Sequence, residues 1–117
     1  METEHIIDEV SFKALIELGG KPFVIEMVDA FLIFAPKVIG EARAGLATGD
    51  LEPVIRMGHS LHSNGRTMGV IRMKDLGARI EKAGREKQGS ELPSLVDEME
   101  LAFIQAKSCL EAKKAGL

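Results

Sequence analysis

This 117-residue chain predicts an all-α fold, an antiparallel up-down four-helix bundle with a short additional N-terminal helix. Three observations carry the prediction. Apolar residues recur at helical spacing through most of the chain, alternation with a period of two is absent over any useful length, and the breaks between periodic stretches are short. Helices joined by short connections fold back as antiparallel neighbours. The length suits a single domain over residues 1–117, and no internal repeat, low-complexity tract or linker divides it.

The elements follow in order. Phe12, Leu15 and Ile16 build the short first helix, which Gly19-Gly20 ends, and Pro22 sits in the first turn of the second. The second helix carries Val24, Met27, Val28, Phe31, Ala35, Val38, Ala42 and Leu46 on one side at ~100° per residue. Pro36 falls inside that pattern, and a kink is expected there. Thr48-Gly49-Asp50 separates it from the third helix, with Asp50 as N-cap and Glu52 favourable near the positive end of the dipole. Val54, Met57, Leu61 and Met68 line the third helix. Gly69 loosens the chain before the fourth, which carries Met73, Leu76, Ile80 and Ala83. Gly89-Ser90 precedes the last, where Ser90 is a candidate cap and Pro93 is tolerated in the opening turn. Its stripe, Leu92, Leu95, Val96, Met99, Ala102, Phe103, Ala106 and Leu110, is the cleanest of the set.

Composition excludes several functions. Fifteen basic side chains stand against 18 acidic ones, and Trp and Tyr are absent. Neither a basic excess nor a stacking platform is present, so nucleic acid is not an expected partner. No apolar run approaches the ~20 residues that span a bilayer, so no membrane role is expected. Met1-Glu2-Thr3-Glu4-His5 is acidic where a secretory leader is basic. Cys109 is alone at the edge of the last stripe, which allows no internal disulfide or Cys-based zinc site and fits a reducing, cytoplasmic setting.

The chemistry turns on the three histidines. His5, in the acidic N-terminus, reads as solvated; His59 and His62 lie in the third helix. With His59 at the origin, the core stripe of that helix falls roughly 160–220° away, so His59 points away from the interior. Within about 60° of it lie Arg56, His62, Ser63 and Arg66, all at same-face helical spacings. The only carboxylate on that stripe is Glu52, about two turns away. Such a ring attracts an anion and hydrogen-bonds its oxygens. It also disfavours imidazolium, leaving more of the neutral, nucleophilic form. On spacing alone an ordinary solvated face and an anion-handling face both stay open. Ile55, one turn before His59 on its exposed side, suggests partner docking. Ile25 and Ile33 point off the core stripe of the second helix, and Leu32 and Phe34 lie at its edges, also placed to pack on the N-terminal helix.

The run His59-Ser60-Leu61-His62-Ser63-Asn64-Gly65-Arg66-Thr67-Met68-Gly69 resembles the signature of histidine-containing phosphotransfer (HPt) domains, H-x-L-K-G-x-x-x-x-L/M-G. Its flanks resemble the family too. Phe23 to Asp50 is similar to the preceding helix, with Phe31, Ala35-Pro36, Leu46 and Gly49-Asp50 at the family's spacings; Leu76 and Ile80-Glu81 to Gly84-Arg85 resemble the following one. The resemblance covers most of the chain from Ile7 to about Leu110. It implies that His59 accepts a phosphoryl group from the aspartate of a response-regulator receiver domain and passes it to another, a phosphorelay step of two-component signal transduction. Receiver domains and a hybrid histidine kinase are the implied partners, and a monomer is expected. Arg56, His62, Ser63 and Arg66 would support the phosphoryl group, and Gly65 and Gly69 would permit close approach. Two positions depart from the pattern: His62 replaces the usual lysine and Ser63 the usual glycine. The lysine is held to contact phosphoryl oxygens, which His62 does only when protonated or as an Nε–H donor. Ser63 crowds the imidazole slightly and adds a donor, while Arg66 supplies the charge that lysine would have given.

No carboxylate cluster for Mg²⁺ is evident, and Gly19-Gly20-Lys21 lacks P-loop spacing. No cofactor of the chain's own is therefore expected, and no kinase activity from ATP; Mg²⁺ is expected on the partner receiver domain. Three other readings compete. His59 and His62 have a spacing able to share a metal ion, although the adjacent arginines repel a cation. A histidine-kinase dimerisation hairpin also displays a helical histidine, but its H-E-hydrophobic-R/K-T/S-P pattern is not met by Ser60, and it takes four helices from two chains. A bundle that keeps the scaffold for protein binding alone is the third.

Overall fold

The computed structural model describes residues 6–117, so His5 and the acidic start of the chain lie outside it. One helical run, Glu9–Thr48, is broken at Gly20, whose dihedrals (φ 86°, ψ 170°) are open to glycine at little cost. It divides the run into α1 (residues 9–19) and α2 (residues 21–48). α3 spans Glu52–Met68, α4 Ile71–Arg85 and α5 Leu92–Ala115. The principal packing pairs are α2–α3, α3–α4, α4–α5 and α2–α5, which closes the ring. That is the expected up-down four-helix bundle, with α1 added at one end.

The stripes read from spacing form the core, with small rotations. Val54, Met57, Leu61, Met73, Leu76, Ile80, Met99 and Leu110 are fully buried, and no polar side chain is buried among the described residues. In α2 the stripe turns slightly toward Ile39, which is buried, leaving Met27, Val38 and Leu46 half-buried at its margin.

Three local expectations are corrected. Pro36 keeps helical dihedrals and the break falls at Gly20 instead; Pro36 lies on the exposed side of α2, where water can take the carbonyl it leaves unpaired. Asp50 accepts from the Glu52 N–H at 3.1 Å but sits one residue before the cap position, which Leu51 occupies without a side-chain bond. Ser90 does not cap α5; Glu91 holds that position, and the chain enters through turn bonds from Glu91 to Gln88 and from Leu92 to Gly89. The stops after α2 and α3 are left-handed glycines, Gly49 (φ 78°) and Gly69 (φ 77°), whose N–H groups return to the carbonyls of Gly45 and Gly65.

α1 is fastened at both ends of its contact surface. Ile7 forms an antiparallel bridge with Val70, and the Asp8 N–H donates to the Gly69 carbonyl at 2.6 Å. A side chain at Gly69 would meet the Asp8 carbonyl at 2.8 Å, so the turn between α3 and α4 is shaped to receive this segment. The Asp8 carboxylate accepts from Ser11 Oγ and the Val10 N–H, which hold it below the usual carboxyl range and cap the helix. Lys113 of α5 pairs with Glu9 and lies 5.2 Å from the centre of the Phe12 ring.

The tightest seam joins α3 to α4. Gly58 and Gly65 on α3, and Gly77 and Gly84 on α4, each stand two turns apart and so share a face. A Cβ on Gly58 would come within 2.7 Å of the Glu81 nitrogen, and one on Gly65 within 2.7 Å of the Lys74 nitrogen. On Gly77 it would lie 2.6 Å from both the Gly58 carbonyl and the His62 nitrogen. These are backbone atoms, which cannot rotate aside. Gly40, by contrast, has nothing within 4 Å of its would-be Cβ. Two alanine substitutions therefore have opposite signs. Gly77→Ala destabilises by about 1–3 kcal/mol through overpacking. Gly40→Ala stabilises by about 0.5–1 kcal/mol through helix propensity. Urea unfolding midpoints of the two variants check the pair.

Candidate functional site

α3 runs with its apolar side on the core and its outer ridge in water, and His59 stands on that ridge with its side chain 67% exposed. Gly58, immediately before it, lets α4 approach until the Glu81 backbone lies against α3. The Glu81 carboxylate thereby reaches His59 Nδ1, at 3.2 and 3.3 Å from its two oxygens. Arg85, one turn on, donates from Nε (3.2 Å) and Nη2 (2.8 Å) to Glu81 Oε2. Hydrogen bonding from Arg85, and then from His59, holds the Glu81 carboxyl below its ordinary range against the opposing effect of desolvation. An ionised carboxylate only accepts, so Nδ1 of His59 is the donor, and in the neutral ring Nε2 bears the lone pair. To the cationic neighbours read from the third helix the structure adds an anion: the charged group touching the imidazole is a carboxylate delivered by the neighbouring helix.

His62 turns toward the same helix. Its Nδ1 lies 3.0 Å from the Lys74 carbonyl, and the ring is part-buried. With Ala78, Glu81, Lys82, Arg85 and Glu86 it lines a shallow basin of about 350 Å³ beside His59. Ser63 is exposed on the outer ridge. Arg56 and Arg66 are also exposed and form no ion pair among the described residues. Arg66 is farther along α3, where it borders a hollow against Ser11, Ala14, Leu15 and Leu18 of α1. Gly65 is packed on the Lys74 backbone and Gly69 on Asp8. Among the described residues no group of three or more His, Cys, Asp or Glu side chains could hold a metal ion. No helix among them is long and apolar enough to cross a membrane.

The apolar candidates do not form one patch. Ile55 is half-buried, its Cγ1 occupying the space a side chain on Gly84 would need, so it belongs partly to the α3–α4 seam. Ile25 and Ile33 flank Asp29 at one-turn spacing, and Asp29 pairs with Lys114 of α5, so both lie on the α5 side of α2. Ile25 is half-buried and Ile33 75% exposed. Phe34 lies on the other side, in an apolar groove of about 380 Å³ between α2 and α3 lined by Met27, Ala30, Phe31, Asn64, Thr67 and Met68.

Glu81, Gly58 and Gly77 were not assigned a role by spacing within α3, because they act across a helix pair. Two signals point to them: glycines repeated at two-turn intervals on consecutive helices, and Glu81 with Arg85 at a favourable one-turn ion-pair spacing.

Comparison with known proteins places this arrangement. The Hpt domain family model matches residues 26–113. The chain belongs to that family and is a histidine phosphotransfer carrier of two-component signalling, a class that works with receiver domains and histidine kinases. Its fold is similar to that of histidine-containing phosphotransfer protein B (HptB) from Pseudomonas aeruginosa PAO1, with a TM-score of 0.89 over 99% of each chain at 18% identity. No curated protein matches it in sequence.

Tautomer and charge at this site are measurable. Nitrogen-15 NMR of neutral His59 gives a protonated Nδ1 and a bare Nε2. Glu81→Gln, which keeps an acceptor oxygen, preserves that state, and Glu81→Ala yields a mixture. Because the Glu81 pKa is lowered from 4.5 on folding, its ionic contribution to stability is present above that value. It is lost as pH falls through the lower folded value. The stability advantage of the wild type over Glu81→Gln therefore disappears in acid.

Proposed function

We propose that Nε2 of His59 accepts a phosphoryl group from a receiver-domain aspartyl phosphate and returns it to the aspartate of another receiver domain. The observation that carries this reading is the exposed imidazole whose Nδ1 proton is engaged by Glu81, since that leaves Nε2 free as a nucleophile facing solvent. In the forward step the Nε2–P bond forms as the aspartyl O–P bond breaks and a carboxylate leaves. The proton on Nδ1 stays where it is. Glu81 stabilises the positive charge that the ring acquires on N-phosphorylation, and Arg85 keeps Glu81 oriented and ionised.

The chain supplies one half of the reaction centre. Mg²⁺ and the remaining charge-stabilising groups belong to the receiver domain on this reading. Arg56 and Arg66, which form no ion pair among the described residues, provide cations along the same ridge, suited to attracting an acidic phosphorylated surface, and Ser63 adds a hydroxyl donor next to the ring. The groove around Phe34, one to two turns along α3 from His59, offers the apolar contact that a docked receiver needs.

The direct test is incubation with a panel of phosphorylated receiver domains. Wild type takes up acid-labile, base-stable label and His59→Gln takes up none. Label retained by the variant removes His59 from the role. Arg66→Glu leaves the bundle folded by circular dichroism and slows transfer on the order of tenfold at low salt, less at high salt. Equal rates would show that Arg66 does not assist.

A further inference from the structure

His62 has one ring nitrogen committed to the backbone of the neighbouring helix. The Lys74 carbonyl, 3.0 Å from its Nδ1, only accepts, so Nδ1 is a donor whether the ring is neutral or charged. A neutral imidazole carries a single N–H. The free Nε2 is then a bare lone pair in the neutral ring and an N–H in the imidazolium. The residue is also held in place: a side chain on Gly77 would meet its nitrogen at 2.6 Å and its Cα at 2.9 Å, so α4 is seated directly on it. Same-face side chains one turn apart have Cβ atoms about 5–6 Å from each other, within reach of a phosphoryl group carried on His59.

We propose that His62 is a proton-gated phosphoryl-oxygen donor: its imidazolium donates Nε2–H to the phosphoryl group on His59, and its neutral form turns a lone pair toward the same oxygens. The inference rests on His59 being the acceptor. The charged and titratable groups around it are Glu81, Lys82, Arg85 and Glu86 across the basin, Lys74, whose carbonyl it contacts, and His59 and Arg66 one turn away on its own helix. Two carboxylates favour the cation and the lysines and arginines oppose it; a phosphoryl group arriving on His59 adds negative charge and tips the balance toward protonation. The covalent step is unchanged, one O–P bond exchanged for one N–P bond. The proton comes from solvent to His62 Nε2 and leaves again when the phosphoryl group departs. By linkage, the contribution of His62 then favours loading of the carrier as pH falls and unloading as pH rises.

The test compares wild type with His62→Lys, whose ammonium stays charged across the range, using one phosphorylated receiver domain between pH 5.5 and 8.5. Taking the ratio of the two initial transfer rates cancels the titration of His59 and of the receiver. The expected ratio is close to its maximum at the acid end and falls about tenfold toward the alkaline end, the scale of one charge-assisted hydrogen bond. A ratio flat with pH overturns the gate. Absence of label on wild type at every pH instead overturns the acceptor reading, so the two failures are distinguishable. A second measurement needs no partner or variant. Nitrogen-15 spectra of neutral His62 give a protonated Nδ1, and phosphorylating the protein with phosphoramidate moves the His62 titration midpoint upward. A protonated Nε2 in the neutral ring, or a midpoint unmoved by phosphorylation of His59, refutes the proposal.

Discussion

The contact on which this site depends is the approach of two backbones. At the closest points between α3 and α4 glycine takes the place of a side chain, and Gly58, Gly65 and Gly77 each stand less than 3 Å from backbone atoms of the opposite helix once a Cβ is imagined. Ordinary helix pairs keep their axes about 8–10 Å apart because side chains fill the gap. Removing them costs conformational entropy in the unfolded chain and helix propensity in the folded one. In return, a short glutamate on one helix touches an imidazole on the outer face of the other. Neither helix alone could assemble that pair.

From this seam the remaining geometry follows. Glu81 lies against Gly58, so its carboxylate meets the residue next along α3, which is His59. Arg85 sits one turn farther and closes on Glu81 from the other side. His62 is carried against Gly77 and donates a hydrogen bond from Nδ1 to the Lys74 carbonyl. Two histidines one turn apart thus both spend Nδ1 on α4, one against a charge and one against a dipole, and they acquire different chemistry for that reason. The bridge from Ile7 to Val70 and the bond from Asp8 to Gly69 brace the turn that sets the register of the pair.

Much of the fold could be read from spacing. Apolar periodicity located the helices, and Gly20, Gly49 and Gly69 mark their ends through positive φ. The bundle also follows from short connections. What failed were features decided by a single hydrogen bond or by tolerance at the surface. Pro36 sits where solvent replaces the bond it removes, and Ser90 loses the capping position to Glu91. The site divides in the same way. His59 on an outward ridge among Arg56, His62, Ser63 and Arg66 is a property of one helix and is visible in one helix. The Glu81 contact is a property of inter-helix register, which a stripe on α3 does not encode. Ile25 and Ile33, proposed for docking from their distance from the core alone, lie on a side of α2 that only the ion pair from Asp29 to Lys114 assigns to α5.

On the proposed reading of His59 as the phosphoryl carrier, Glu81 bears on storage as well as on transfer. A water molecule beside a phosphorylated His59 would need a base to become an effective nucleophile, and the carboxylate that touches the imidazole is already engaged by that ring and by Arg85. The open ridge that admits a large protein therefore offers no equivalent help to a small solvent molecule. An occupied Glu81 would in this way favour persistence of the carried group, with no lid required.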